Sequence, residues 1–311
     1  MTERDAVRTD LAVEAAERHF SSPEEAPAGC EAARTEEDGF SVHELRVMNE
    51  EGARAVGKPC GRYVTVETGK LWNADKSAFT KAAAVLAGRM ATFFPAGEGV
   101  CLLAALGNKA VTADAVGPIA AEHFLVTAHI RKSDPALFRE MGLRETVCIS
   151  PGVLGTTGIE AAKVIAGTVR EVKPSFVVAV DALASKRLSR LATTVQICDT
   201  GISPGSGIYN ARPAIGPETL GVPVIAVGVP TVVEASTLAY DLLAAALARR
   251  GAAADAAQAL EAVLKPEARG FFVTPKETDR IIRTAGRLVA YALNRALQPS
   301  IGFEEMEELL G

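Results

Sequence analysis

The chain has 311 residues, 48% of them hydrophobic and 23% charged, with 33 Lys and Arg against 38 Asp and Glu. At about 100–200 residues per domain this is one large domain or two smaller ones with ample core, which excludes overall disorder. A formal net charge of −5 with no local run of Lys or Arg offers no general attraction to phosphate backbones or anionic lipid, so no direct nucleic-acid partner is expected.

Residues 1–40 are mostly polar and acidic apart from a short apolar stretch at 11–16, and read as an extended arm or partly ordered leader. Residues 42–68 alternate apolar and polar positions around Gly- and Pro-containing turns, the pattern of an inserted β-hairpin element. A helical stretch at 74–92 leads into an apolar run at 100–106. From there the periodicity alternates: helix 117–130, strand 146–149, helix 158–172, strand 176–180, strand 194–198 and strand 222–227. This is the β-α-β pattern of an α/β fold with a mainly parallel sheet flanked by helices. The region 235–311 is Ala- and Leu-rich with helical periodicity at 235–249, 253–264, 276–297 and 303–310, and reads as a helical C-terminal part.

The longest apolar stretches, 222–229 and 238–247, fall well short of the roughly 20 residues of a membrane span, so no membrane partner is expected. The charged N-terminus MTERDAVRTD lacks an apolar signal core, which predicts a cytoplasmic protein. Cys30, Cys60, Cys101, Cys148 and Cys198 form no C-x-x-C pair, so neither a zinc knuckle nor a disulfide framework is expected.

Ligands of open α/β sheets bind at the carboxyl ends of strands, which directs attention to the residues just past each apolar run. Two such ends carry an aspartate. In LLAALGNKAVTADAVGP the strand stops at Gly107-Asn108 and Asp114 stands three residues before Gly117-Pro118; in FVVAVDALASKR, Asp181 follows five apolar residues. Carboxylates brought to one rim repel one another, so one stays protonated while the other ionises, the division of labour that acid-base hydrolysis needs. The plainer role for each is to cap a following helix: near Val116 for Asp114, and within 183–188 for Asp181.

The segments VRTDLAVEA (7–15), GNKAVTADAVGP (107–118), SPGVLGTTGIE (150–160), VDALAS (180–185), DTGISPGSGIYNAR (199–212), VGVPTVVEAST (227–237) and FFVTPKETDR (271–280) resemble, in this order, the germination protease family of spore-forming bacteria. The resemblance implies an endopeptidase of the spore core that degrades small acid-soluble spore proteins during germination. It also implies synthesis as an inactive precursor that removes its own short prosegment, a fold similar to the hydrogenase maturation peptidases, and a homotetramer. The family's two essential aspartates fall on Asp114 and Asp181, the pair already singled out. Asn108, Thr112, Asp199, Ser203 and Gly205 would line or support the site. Hydrogenase maturation peptidases bind a metal partly through a His in an I-S-P-H segment. Here that stretch reads Ile202-Ser203-Pro204-Gly205, and His19, His43, His123 and His129 are the chain's four histidines, so a carboxylate dyad with no metal and no cofactor is expected. The alternatives are a metal-dependent processing peptidase and a non-catalytic anion-binding protein using the glycine-rich loop 201–207.

Family substrates carry an acidic residue, a large apolar residue, Ala, and a Glu further on. Thr9-Asp10-Leu11-Ala12-Val13-Glu14 fits, which implies self-cleavage between Asp10 and Leu11 and divides the chain into a prosegment 1–10 and a single peptidase domain 11–311. An acidic side chain before the cut calls for a cationic subsite, for which Lys186, Arg187, Lys109 and Arg212 are candidates. Asp199-Thr200-Gly201 invites a pepsin-like reading, but it has no second copy and sits in an α/β chain. No G-x-S-x-G motif supports a serine nucleophile.

Overall fold

Four largely apolar runs form the centre of the molecule: β4 (Cys101–Ala105), β5 (Thr146–Ile149), β6 (Phe176–Ser185) and β8 (Val224–Glu234). β5, β4, β6 and β8 pair in parallel in that order. Parallel strands are covered on both faces, which is why their sequences are continuously apolar rather than alternating. The computed structural model describes residues 9–20, 22–203, 213–248 and 270–310. On one face Cys101, Leu103, Phe176, Val178 and Val180 meet the helices Lys76–Ala91, Val116–Glu122 and Thr278–Leu297. On the other, Leu102, Ala104, Val177 and Ala179 meet Ile165 and Val169 of the helix Ala161–Val172.

Beyond β8 the sheet changes direction. β7 (Thr194–Cys198) runs antiparallel to β8 and is followed by β3 (Gly61–Glu67), β2 (Phe40–Val47) and β1 (Cys30–Glu37), all antiparallel, while the short β9 (Phe272–Val273) pairs with the far end of β8. The α/β architecture flanked by helices, with a helical C-terminal part, is as expected; the sheet is mixed, with a parallel half and an antiparallel half.

The expected hairpin element at 42–68 is a three-stranded meander that starts earlier, at Cys30, and holds a helix, Glu50–Val56, between β2 and β3. Part of the stretch read as an arm is therefore strand. β1 turns into β2 through Asp38 and Gly39, both at positive φ, as a two-residue Asp-Gly hairpin requires. The helix expected at 117–130 is two, Val116–Glu122 and Ala128–Ser133, and β8 continues past Val227 to Glu234. The helix expected at 253–264 lies outside the described residues.

Phe176 is fully buried, its ring tilted on Phe94 and covered by the Arg144 guanidinium. Phe176→Ala is expected to cost about 3–5 kcal/mol of stability, read as a shift of the urea midpoint with an unchanged slope.

Candidate active site

The carboxyl end of β4 is fastened to β6 by the Leu106 N–H donating to Val180 O at 2.8 Å. The chain then reverses at Gly107, whose φ of +112° and lack of Cβ are both required, because a Cβ would lie 2.0 Å from Asp114 O. The Asn108 N–H donates to that same Asp114 oxygen at 3.0 Å, and the Asp114 N–H donates to Val111 O at 2.7 Å, closing a 3-10 turn over Thr112–Asp114. Asn108 and Thr112 act on this loop: Asn108 Oδ1 accepts from the Ala110 N–H at 3.0 Å, and Thr112 Oγ1 donates to Asp279 Oδ1 at 2.8 Å. Ala115, not Asp114, occupies the N-cap position of the next helix.

Asp181 does not end its strand. β6 runs on to Ser185 with a register shift at Leu183/Ala184, and a 3-10 turn, Leu188–Arg190, replaces the helix that Asp181 was to cap. Asp181 is 6% exposed and its Oδ1 accepts from the Ala182 N–H at 2.9 Å. It pairs across the sheet with Gly228 of β8, which in turn pairs with Gln196 of β7. A cavity of about 550 Å3 opens here, and Asp114, Asp181 and Asp10 all line it, together with Lys58, Gln196 and Gly228.

The described part of the leader, from Thr9 onward, is docked. The Asp10 N–H donates to Ala184 O and the Ala184 N–H donates to Asp10 Oδ2, each at 2.8 Å, so the leader continues the edge of β6. Leu11 is fully buried beside Val13 and Leu183, in extended conformation just ahead of the helix Ala12–Ala16. The Asp10 carbonyl accepts from Lys58 Nζ at 2.7 Å and Gln196 Nε2 at 3.3 Å. Glu14, 1% exposed, accepts from the backbone N–H groups of Lys186 (2.6 Å) and Arg187 (3.0 Å), and from Thr9 Oγ1 at 2.5 Å, with Arg190 Nη1 at 3.5 Å. Glu17 binds both terminal nitrogens of Arg190, at 2.9 and 2.6 Å.

The cationic candidates are thus placed otherwise than expected. Lys186 and Arg187 turn their backbone amides to Glu14, four residues after the expected cut, and their side chains to Asp241 and Glu17. The Asp10 carboxylate instead meets the Ala184 N–H and stands close enough to Lys58 to act on its charge. Lys109 pairs with Glu122 at the surface, and Arg212 lies outside the described residues. Asp199 is exposed and does not line the cavity; its Oδ1 accepts from the Arg62 N–H at 2.8 Å and ties the end of β7 to β3. Ser203 lies on the cavity wall, whereas Gly205 is outside the described residues. Glu14 carries the glutamate of the expected substrate frame, whereas Lys58, Gln196 and Arg190 were not singled out from sequence. Gln196 alone carried a signal, as a polar residue inside the buried run TVQIC.

Electrostatics follow the same layout. Burial pushes the Lys58 ammonium below its ordinary value while the Asp10 carboxylate opposes the shift. Burial pushes the thiols of Cys198 and Cys101 up, and that of Cys148 to about 11, which disfavours a thiolate nucleophile at each. Among the described residues, no three His, Cys, Asp or Glu side chains gather as a metal-binding group.

Burial alone would raise the carboxyl of Glu17, but the Arg190 hydrogen bond and the charges of Arg190 and Arg187 outweigh it and hold it below 4.5. A carboxyl depressed in the folded state stabilises fully above its unfolded value and loses that contribution as pH falls through the folded one. Glu17→Gln is therefore expected to cost about 2 kcal/mol at neutral pH, with the difference from wild type shrinking as pH drops below 4.5, measured by thermal melts across pH.

Residues 6–255 match the family described as germination protease. The chain is 39% identical to the germination protease of Caldanaerobacter subterraneus subsp. tengcongensis, over 98% of each chain. It is also 39% identical to that of Clostridium perfringens over 98% of this chain and 99% of the relative, and 35% identical to that of Bacillus licheniformis over 95% and 94%. Among solved structures, the [NiFe] hydrogenase maturation protease HycI of Thermococcus kodakarensis aligns with a TM-score of 0.35 and 16% identity, covering 66% of this chain and 99% of that one, a likeness too slight to bear on the site. By its sequence from end to end, the chain belongs to the germination protease family and is a peptide-bond hydrolase.

Proposed function

We propose that the protein is an endopeptidase made as a zymogen, in which Asp114 and Asp181 act as a carboxylate dyad and the first substrate is its own Asp10–Leu11 bond. The observation that carries this reading is that Asp10, Asp114 and Asp181 line the same cavity while Leu11 is buried at its edge. In the proposed reaction the ionised carboxylate removes a proton from water, whose oxygen adds to the Asp10 carbonyl carbon. The protonated partner then gives its proton to the Leu11 nitrogen as the C–N bond breaks. Residues 1–10 leave as the prosegment, and 11–311 remain as the enzyme.

In trans, the substrates are the small acid-soluble spore proteins, cleaved in the spore core during germination by a homotetramer. Membership of the family supports this assignment. The leader shows the chemistry such a substrate must satisfy: an acid before the cut, a large apolar residue after it, and a glutamate three residues further on, which here are Asp10, Leu11 and Glu14.

Asp114→Asn and Asp181→Asn are each expected to lower self-processing and turnover of a Thr-Asp-Leu-Ala-Val-Glu peptide by about 10³-fold with an unchanged melting temperature. Intact-mass spectrometry for a new N-terminus at Leu11 reads the first and peptide cleavage the second. Retained turnover in either variant rejects the dyad. Exhaustive dialysis against a strong chelator is expected to leave the wild-type rate within about twofold of its starting value. A loss restored by a divalent ion would instead assign a metal-assisted hydrolysis.

A further inference from the structure

Two donors converge on the oxygen of the peptide bond proposed to be cut, and neither belongs to the carboxylate pair. Lys58 Nζ stands 2.7 Å from Asp10 O and 3.5 Å from Thr9 O; Gln196 Nε2 stands 3.3 Å from Asp10 O. The Gln196 amide is held in this orientation from its other end, since its Oε1 accepts from the Ala12 N–H at 2.6 Å. One side chain thus spans the backbone from the carbonyl before the Asp10–Leu11 bond to the amide of Ala12. Lys58 reaches the same oxygen from the loop between Val56 and Gly61, a loop anchored where the Tyr63 hydroxyl donates to Pro59 O at 2.8 Å.

The sheet register explains how these donors come to face a carboxylate. Gln196 of β7, Gly228 of β8 and Asp181 of β6 form one row across three adjacent strands. Directly paired residues project to the same face of a sheet, so Gln196 and Asp181 flank a position that has no side chain. A Cβ at Gly228 would meet the Leu183 side chain at 2.3 Å, so that place stays a glycine. Leu183 covers Gly228, and Gln196, Asp181 and Lys58 all line the same cavity, where an amide and an ammonium meet the carbonyl and a carboxylate stands in the amide's row.

We propose that Lys58 and Gln196 form the carbonyl-binding site of the enzyme, donating to the oxygen of the residue before the cut and holding the negative charge that develops there. This rests on the cut site proposed above. As the water oxygen bonds to the carbonyl carbon, the C=O π pair moves onto Asp10 O, where the Lys58 ammonium and Gln196 amide receive it. When the C–N bond breaks, that pair returns to re-form the carbonyl, and the leaving nitrogen takes its proton from the carboxyl pair. Neither donor gains or loses a proton. The protonated carboxyl then serves the nitrogen alone. Preorganised donors at such an oxygen act where water is excluded and need no reorganisation during the reaction.

The test uses the full chain with three single substitutions. Lys58→Met removes the ammonium at similar length, Gln196→Glu keeps an acceptor for the Ala12 N–H while removing the donor to Asp10 O, and Lys58→Arg retains a cation. The rate is the first-order appearance of the Leu11 N-terminus by intact mass, and leader docking is read in parallel from hydrogen exchange across the helix Ala12–Ala16. Lys58→Met and Gln196→Glu are each expected to slow processing by about 10²–10³-fold while leader protection stays at the wild-type level. Lys58→Arg is expected to recover the rate to within about tenfold of wild type and to extend activity to higher pH, because a guanidinium does not lose its proton there. A rate unchanged in both variants, or one that falls only together with leader protection, overturns the proposal, since the two residues would then merely seat the leader. If Lys58→Met fails to fold, Gln196→Glu and Lys58→Arg decide. Retained processing in Asp181→Asn alongside its loss in Gln196→Glu would remove the dyad and leave the carbonyl site standing. A wild-type chain that neither processes itself nor cleaves the peptide removes both.

Discussion

A carboxylate withdrawn from water must find enough donors to replace its hydration, and Glu14 is withdrawn almost completely. Its oxygens are met by two consecutive backbone amides, a threonine hydroxyl and the Arg190 guanidinium. The two amides lie just past the end of β6, so their geometry is set by the strand and not by rotamers of long side chains. That fixes the register of the leader to one residue: with Glu14 seated, Leu11 falls into its apolar pocket and Asp10 falls opposite Ala184. A leader displaced by one position would bury Val13 or Ala15 against those amides and leave the donors unpaired, a cost of about 1–3 kcal/mol for each. Placement of the Asp10–Leu11 bond in the cavity rests on this buried side chain together with the Asp10–Ala184 pair and the Gln196–Ala12 hydrogen bond.

The cavity itself arises where the sheet changes character. β6 and β8 are parallel and β7 is antiparallel to β8, so the carboxyl-terminal half of β6 lies in the same row as residues near the middle of β7. A wholly parallel sheet would bring only strand ends and loops to this rim. The reversal adds Gln196, a residue from within a strand, to a site otherwise built from the loop after β4 and the continuation of β6. The antiparallel meander beyond β7 serves the same end, since Lys58 is carried on the loop that leads into β3. On the proposed reading, the acid-base groups come from the parallel half of the sheet and the groups that bind the substrate carbonyl from the antiparallel half.

Much of this could be read from the residues in order. The apolar runs of β4, β6 and β8 are continuous because both faces are covered, and the two aspartates stand out because they interrupt or follow such runs. β1 was not legible as strand: most of its residues are exposed, so it carries no apolar period, and only the Asp38-Gly39 turn betrays it. Asp199, marked by its D-T-G setting, turned out to join two strands, because its carboxylate finds the Arg62 N–H before it reaches the cavity. Lys58 sits in an ordinary Gly-Lys-Pro loop, and nothing local distinguishes it from any solvated lysine. Its place depends on long-range pairing that no short window contains.

Lys186 and Arg187, two of the four loop cations expected to read the acid before the cut, act otherwise. Their backbone, not their charge, does the binding, and it binds a different acid. An amide row is a sharper selector than an ammonium: it donates to a carboxylate oxygen at one height and one angle, whereas a lysine follows its partner through four rotatable bonds. The two acids of the leader are thus held by unlike means. Asp10 has a single strand-edge amide and lies near the charge of Lys58, while Glu14 has a pair of backbone amides backed by Arg190. With the cut where it is proposed, such an arrangement would tolerate variation before the cut better than after it, with the strict geometry on the side that stays attached to the folded chain.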